Sequence, residues 1–322
     1  MSSGTLSDKI SALTLSVQES PVHNMKALEN LVGLARKRSR GQAVDVLGAL
    51  KDLLGPGALL PSDRKLRMFA AQPGLSAVFG RSNSKWTSDD PLPQPLQDIH
   101  LISWAYEDWL KKTYFEVLKI IETWCNDEIV FARGKAVDYV CELLKDKPEQ
   151  EANLLRLLTN KLGDPDKKIA SKTSYNILQL QTTHPLMKPM IVASIESELL
   201  FRPGQSLHAK YYAIITLNQT VLSGKEEAVA KKLLDIYFSL FLNLLARPDP
   251  AKPQMSAANA ITVNRKGEVQ GGGGATGKKA QKKLAEKEKS TVVDEELREK
   301  MLSAVLTGVN RAMPFTKTDD ER

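Results

Sequence analysis

Cysteine is nearly absent, with two residues, Cys125 and Cys141, in 322. Two thiols without nearby histidines make neither a disulfide framework nor a zinc site. Each sits among apolar neighbours in a helical pattern, so both are expected to be buried and reduced, as suits a reducing compartment. Histidine is scarce as well. His23, His100, His184 and His208 stand at no metal-ligand spacing from Cys, Asp or Glu, and none accompanies a serine in a recognisable nucleophile turn. The sequence therefore offers no catalytic constellation, no metal set and no cofactor motif, and an enzyme is the least expected class. Long apolar runs are also missing: none approaches the ~20 residues that span a bilayer. Met1-Ser2-Ser3-Gly4 lacks the charged and apolar segments of a secretory signal. Neither a membrane nor a small-molecule substrate is implied, and the sequon at Asn218-Gln219-Thr220 falls mid-helix, where no glycan is expected.

Aromatic residues make up only 6% of the chain, and charge of one sign is not spread evenly. The net charge is +7, but residues 265–289 hold eight cations (Arg265, Lys266, Lys278, Lys279, Lys282, Lys283, Lys287 and Lys289) against Glu268, Glu286 and Glu288, a surplus of five. The remainder carries only two of the seven, so any nucleic-acid contact outside that segment must come from local patches.

What is present in abundance is helical periodicity, with no convincing strand alternation. Leu6, Ile10, Leu13 and Val17 mark a first helix, with Ser3 or Thr5 as its cap and Pro21 as its stop. A second runs from about Asn24 to Ala35. A third carries Val44, Leu47 and Leu50 and ends at Gly55-Pro56-Gly57. A short helix is expected from about Ser62, with Leu66 and Phe69 inward, and residues 71–96 read as a long loop. A long helix from about Leu96 to Cys125 holds Trp104, Tyr106, Trp109, Tyr114, Phe115 and Trp124. These could line a ligand box or stack bases, but a wide buried stripe between helices is the stronger reading.

Residues 126–246 carry an internal repeat. Asp127 and Asp164 lie 37 residues apart, as do Lys135 and Lys172, and Lys172 and Lys210 are 38 apart. A period of roughly 37–40 built from helix pairs is the mark of HEAT or armadillo stacking, in which neighbouring pairs jointly bury stripes that one pair cannot. Asp164 is placed to cap the second helix of its pair, with Pro165 in the first turn. The expected fold is thus an all-α, HEAT/armadillo-like helical-repeat solenoid over 1–247 with a disordered basic insert over 248–292. The helical pattern resumes at 293 and runs to the end of the sequence at 322, through Leu297, Met301, Val305 and Val309. A solenoid should not stop one helix after a linker, so the chain reads as a fragment of a longer protein.

Three cation clusters are candidate RNA contacts: Arg36, Lys37, Arg38 and Arg40; Arg64, Lys65 and Arg67; and Lys161, Lys167, Lys168 and Lys172. The first reads equally as a solvated helix end or as a phosphate contact. Lys278, Lys279, Lys282 and Lys283 form a basic run that reads as a nuclear-import signal or an RNA-tethering arm. Gly272-Gly273-Gly274-Ala275-Thr276-Gly277-Lys278-Lys279 nearly matches a phosphate-binding loop. It has Lys279 where the metal-binding Ser or Thr should be and no buried strand before it, so the linker reading stands.

Several stretches resemble the CCAAT-binding-factor, or nucleolar complex protein one, family. They are Ala27-Leu28-Glu29-Asn30-Leu31, Arg38-Ser39-Arg40-Gly41-Gln42-Ala43, Leu60-Pro61-Ser62-Asp63-Arg64-Lys65-Leu66, Lys147-Pro148-Glu149-Gln150-Glu151-Ala152-Asn153-Leu154-Leu155, Asn160-Lys161-Leu162-Gly163-Asp164-Pro165, His208-Ala209-Lys210-Tyr211-Tyr212-Ala213 and, most specific, Leu306-Thr307-Gly308-Val309-Asn310-Arg311-Ala312. The resemblance implies a non-catalytic assembly scaffold of the early pre-60S particle. It would act in the nucleolus, in a heterodimer with a second nucleolar complex protein, and touch pre-rRNA. The family name also carries an alternative, a CCAAT-box transcription regulator. That reading needs a recognition helix or zinc module, and neither is visible. A karyopherin-like adaptor would share the helical build but should be acidic rather than basic.

Overall fold

The computed structural model describes residues 5–36, 40–79, 92, 94–245, 262–263, 269–270 and 277–316. Lys37, Arg38 and the glycine run 271–274 lie outside these residues, as does most of the expected insert before Gly277. The chain divides into two compact units, Met1–Met187 and Lys188–Arg322.

In the first unit, α1 (Leu6–Glu19) opens on a capping box. The Thr5 N–H donates to Asp8 at 2.9 Å, and Thr5 Oγ1 accepts from the Asp8 N–H at 3.3 Å. α2 (Met25–Ala35) and α3 (Arg40–Leu54) follow and bury the expected apolar faces. After α3 the chain must turn tightly: a Cβ on Gly57 would lie 2.2 Å from the Leu53 carbonyl oxygen, so only glycine fits there.

The helix expected from Ser62 does not form; residues 61–68 have no helical structure. The Leu66 N–H donates to Glu149 at 2.6 Å, the Arg67 N–H to Glu107 at 2.8 Å and the Phe69 N–H to Asp108 at 3.2 Å. Carboxylates some 40 to 80 residues away along the chain thus satisfy amides that a helix would otherwise use. Leu66 is buried as expected, but Phe69 is only half-buried. Within the stretch read as a loop, α4 (Pro73–Phe79) is helical.

α5 (Asp98–Cys125) is the longest helix of this unit, about 42 Å at the ordinary rise. Its aromatics do not form one buried stripe: Tyr114 and Trp124 are buried, Trp104, Tyr106 and Trp109 half-buried, and Phe115 is exposed. α6 (Val130–Asp146), α7 (Glu151–Asn160) and α8 (Lys167–Thr183) complete the unit. The residue that caps α8 is Asp166, whose carboxylate accepts from the Lys168 N–H at 2.8 Å, and not Asp164.

In the second unit, α9 (Lys188–Ile195) continues through one π turn, Glu196–Leu200. Ser206 caps α10 (Leu207–Gln219), and α11 (Glu227–Leu245) follows. β1 (Thr262–Val263) and β2 (Val269–Gln270) form a two-residue antiparallel pair, the one sheet among the described residues. α12 (Gly277–Ala312) begins sixteen residues ahead of the expected 293. The reason is local. Residues 278–289 are almost all Lys, Glu, Ala and Gln, strong helix formers that need no core to be helical. α12 packs on α10 and α11. Gly308 permits the approach: a Cβ there would meet Asn218 Oδ1 and Tyr237 Cζ at 2.5 Å. The Asn218 side-chain amide donates to the Ala304 carbonyl at 2.8 Å, so the sequon asparagine is a buried packing residue.

Candidate nucleic-acid interface

Helices α3, α6 and α8 lie side by side and run parallel, as contacts at successive levels require. Between α3 and α6, Arg40 meets Asp127 at 3.1 Å, Tyr139 donates to the Val44 carbonyl at 3.2 Å, and Lys51 meets Glu142 at 2.7 Å. Between α6 and α8, Arg133 meets Asp164 at 3.0 Å, Lys172 meets Asp138 at 2.7 Å, and the His184 ring contacts the Lys145 carbonyl at 2.7 Å.

The 37-residue relation between Asp127 and Asp164 has a physical content. Each aspartate accepts the amide of the residue two ahead, Ile129 at 2.7 Å and Asp166 at 3.0 Å. Each also receives an arginine from the start of the preceding parallel helix. Asp164 is the deeper of the two, with a side chain 0% exposed, held by both forks of Arg133 and by Lys161 at 3.4 Å. The Asp127 carboxyl is held low. Burial pushes it up, but the Ile129 N–H and the Arg40 guanidinium outweigh that and hold it below the usual carboxylate range.

This architecture consumes many of the candidate cations. Arg36 pairs with Glu116 at 2.8 Å, Arg40 with Asp127, Arg64 with Glu107, Lys65 with Glu151 at 2.7 Å, Lys161 with Asp164 and Lys172 with Asp138. Lys167 and Lys168 are exposed and have no ion pair among the described residues. Arg67 is exposed, with its amide rather than its guanidinium tied down. Lys278, Lys279, Lys282 and Lys283 lie on the first two turns of α12, in the other unit.

The segment around Arg64 is anchored from below by two buried carboxylates. Glu107 accepts from Arg64, from the Arg67 N–H and from Gln72 at 3.0 Å. Burial raises the Glu107 carboxyl, but these donors outweigh it and leave it below its ordinary 4.5. Glu149, 2% exposed, takes Lys111 at 2.8 Å and the Leu66 amide.

Cys125 and Cys141 are free and buried, and burial pushes their thiols up to about 12 and about 11. The described residues contain no group of three or more metal-ligating side chains and no helix long and apolar enough to cross a membrane. A cavity of about 690 Å³ between α4 and the start of α5 is lined by Gly74, Leu96, His100 and Trp104. Among the described residues that line it, His100 is the one titratable group, and its Nδ1 caps α5 by accepting the Gln97 amide at 3.1 Å.

Sequence reasoning missed Phe131 and Tyr175, which are 63% and 60% exposed on α6 and α8. The signal was available: Lys168, Lys172 and Tyr175 fall at i, i+4 and i+7, on a face opposite the buried Ala170 and Ile177.

No family model matches the chain. The protein named Ribosome biogenesis protein NOC1 from Chaetomium thermophilum is 52% identical over 322 residues, which is 99% of this chain and 30% of that protein. CCAAT/enhancer-binding protein zeta from Mus musculus is 34% identical over 323 residues, covering 100% of this chain and 25% of that protein. Nucleolar complex protein 1 from Drosophila melanogaster is 34% identical over 244 residues, 76% of this chain and 20% of that protein. The chain thus spans less than a third of the length of these curated relatives.

Proposed function

The chain belongs to the CCAAT-binding-factor, or nucleolar complex protein one, family, and we propose that it works in ribosome biogenesis as a non-catalytic scaffold. In this reading it acts in the nucleolus on early pre-60S precursors, beside a second nucleolar complex protein and in contact with pre-rRNA. The observation that carries the proposal is the 52% identity along the whole chain to a protein named for ribosome biogenesis, with the nucleolar complex relative in support. The structure is compatible with it. Stacked helices offer a broad surface for partners, and uncompensated lysines stand on one face of the first unit.

A second reading, a CCAAT-box DNA regulator, is favoured by the name of one relative. Affinity purification of the tagged full-length protein, with sequencing of the co-purified RNA and mass spectrometry of the proteins, separates the two. The scaffold reading expects large-subunit rRNA precursors and nucleolar assembly factors. Promoter-bound transcription machinery without precursor rRNA would overturn it in favour of the DNA reading. Substituting Arg40 is a poor way to probe RNA contact, because it also holds Asp127 between α3 and α6.

A further inference from the structure

The outward faces of α6 and α8 carry the same positions of two successive repeats. On α6 these are Phe131, Lys135, Asp138 and Glu142, and 37 residues on they are Lys168, Lys172, Tyr175 and Gln179. Aromatics on the solvent side of a helix contribute nothing to its core, yet Phe131 and Tyr175 are both more than half exposed. Their Cα atoms are about two turns apart along the axes and one helix spacing apart across them, roughly 14 Å in all.

The charges around them are mostly of one sign once internal pairs are removed. Asp138 is neutralised by Lys172, Glu142 shares Lys51 with Asp52 on the α3 side, Asp164 is buried under Arg133, and Asp166 spends its carboxylate capping α8. Lys135, Lys167 and Lys168 are exposed, with no ion pair among the described residues. Glu128, exposed in the turn before α6, bounds the patch. α8 itself has three lysines and no carboxylate from Lys167 to Thr183.

Exposed rings interleaved with uncompensated cations suit single-stranded nucleic acid, whose bases stack on aromatic faces and whose phosphates pair with ammonium groups. A duplex would hide its base faces from both rings. Resting on the reading that this chain contacts pre-rRNA, we propose that the α6–α8 face binds single-stranded RNA. Phe131 and Tyr175 stack bases, and Lys135, Lys167 and Lys168 take phosphates.

The test is fluorescence anisotropy of the 322-residue chain with a labelled 12-nucleotide uridine RNA, and with a 12-base-pair RNA duplex as competitor. The single strand is expected to bind more tightly. F131A and Y175A should each weaken it about fivefold or more, the low end of what a stacked base is worth, and together by about thirtyfold. Thermal melting should not change, because neither ring is in the core. F131Y together with Y175F keeps both rings and should keep the affinity, which separates stacking from any loss of fold. Replacing Lys135, Lys167 and Lys168 with Gln should flatten the dependence of affinity on salt. Unchanged single-strand affinity in the double alanine variant overturns the proposal, as does preference for the duplex. In each case co-purification of precursor rRNA with the full-length protein can persist, so the assembly reading stands or falls separately. A wild-type chain that binds neither RNA overturns the proposal as well.

Discussion

A side chain's worth here depends on how far water has been removed from it. Arg133 and Asp164 form a pair 12% and 0% exposed, whereas Arg36 and Glu116 are 55% and 41% exposed. Arg133→Ala leaves a buried carboxylate with the Asp166 amide and a long Lys161 contact but no close counter-ion, and is expected to cost about 3 kcal/mol, while Arg36→Ala should cost under about 1. Urea titrations of the two variants measure the difference directly, and equal losses would contradict the burial. Glu107 adds a pH dependence. Its folded value lies below its ordinary 4.5, so the stability it contributes is present above that value and is lost as pH falls through the depressed one. Glu107→Gln should remove part of the acid-side loss in a plot of urea midpoint against pH. Cys125 and Cys141, with thiols pushed up by burial, should resist alkylation in the native state and react on unfolding. That they would be buried was legible from their apolar neighbours. That Asp164 would be an ion-pair partner instead of a cap was not, because Arg133 lies 31 residues away and no local rule couples them.

Helices were the most legible level, and their limits show what periodicity measures. Leu178, which looks apolar and inward by spacing, is only half-buried, while Ile177 beside it is fully buried. Ile177→Asp is therefore the change expected to unfold the stack, by several kcal/mol. The missing helix after Ser62 failed for a different reason: its amides are claimed by Glu107, Asp108 and Glu149, acceptors that no window of local sequence contains. Gly308 offers a test of contact between elements. Gly308→Ala must push α12 off Tyr237 and Asn218 and should cost about 1–3 kcal/mol. Gly134→Ala in α6, with nothing within 4 Å, should instead be neutral or stabilising by up to about 1 kcal/mol. Opposite signs in thermal melts are the expected result.

For the whole molecule, a division at Met187 was not visible in composition, which suggested a boundary near 247. Composition registers where the chain stops being apolar. It does not register that α12, far along the sequence, returns to pack on α10 and α11. The first unit has its own buried core from Ile10 to Leu180. Residues 1–187 expressed alone are expected to be helical by circular dichroism and to melt cooperatively; a featureless melt would contradict that. The two aspartate joints bear on how such a protein can change length. Arg40 meets Asp127 through one nitrogen and Arg133 meets Asp164 through two, so both joints are built from an arginine of one helix and an aspartate ahead of the next parallel one. Excising the 37 residues from Asp127 to Gly163 would bring Arg40 to Asp164 with the joint chemically whole, whereas removing three or four would strand a charge at each end. Growth or shrinkage by whole modules is thereby the change in length expected to leave the joints intact, and drift by single residues is the one expected to break them.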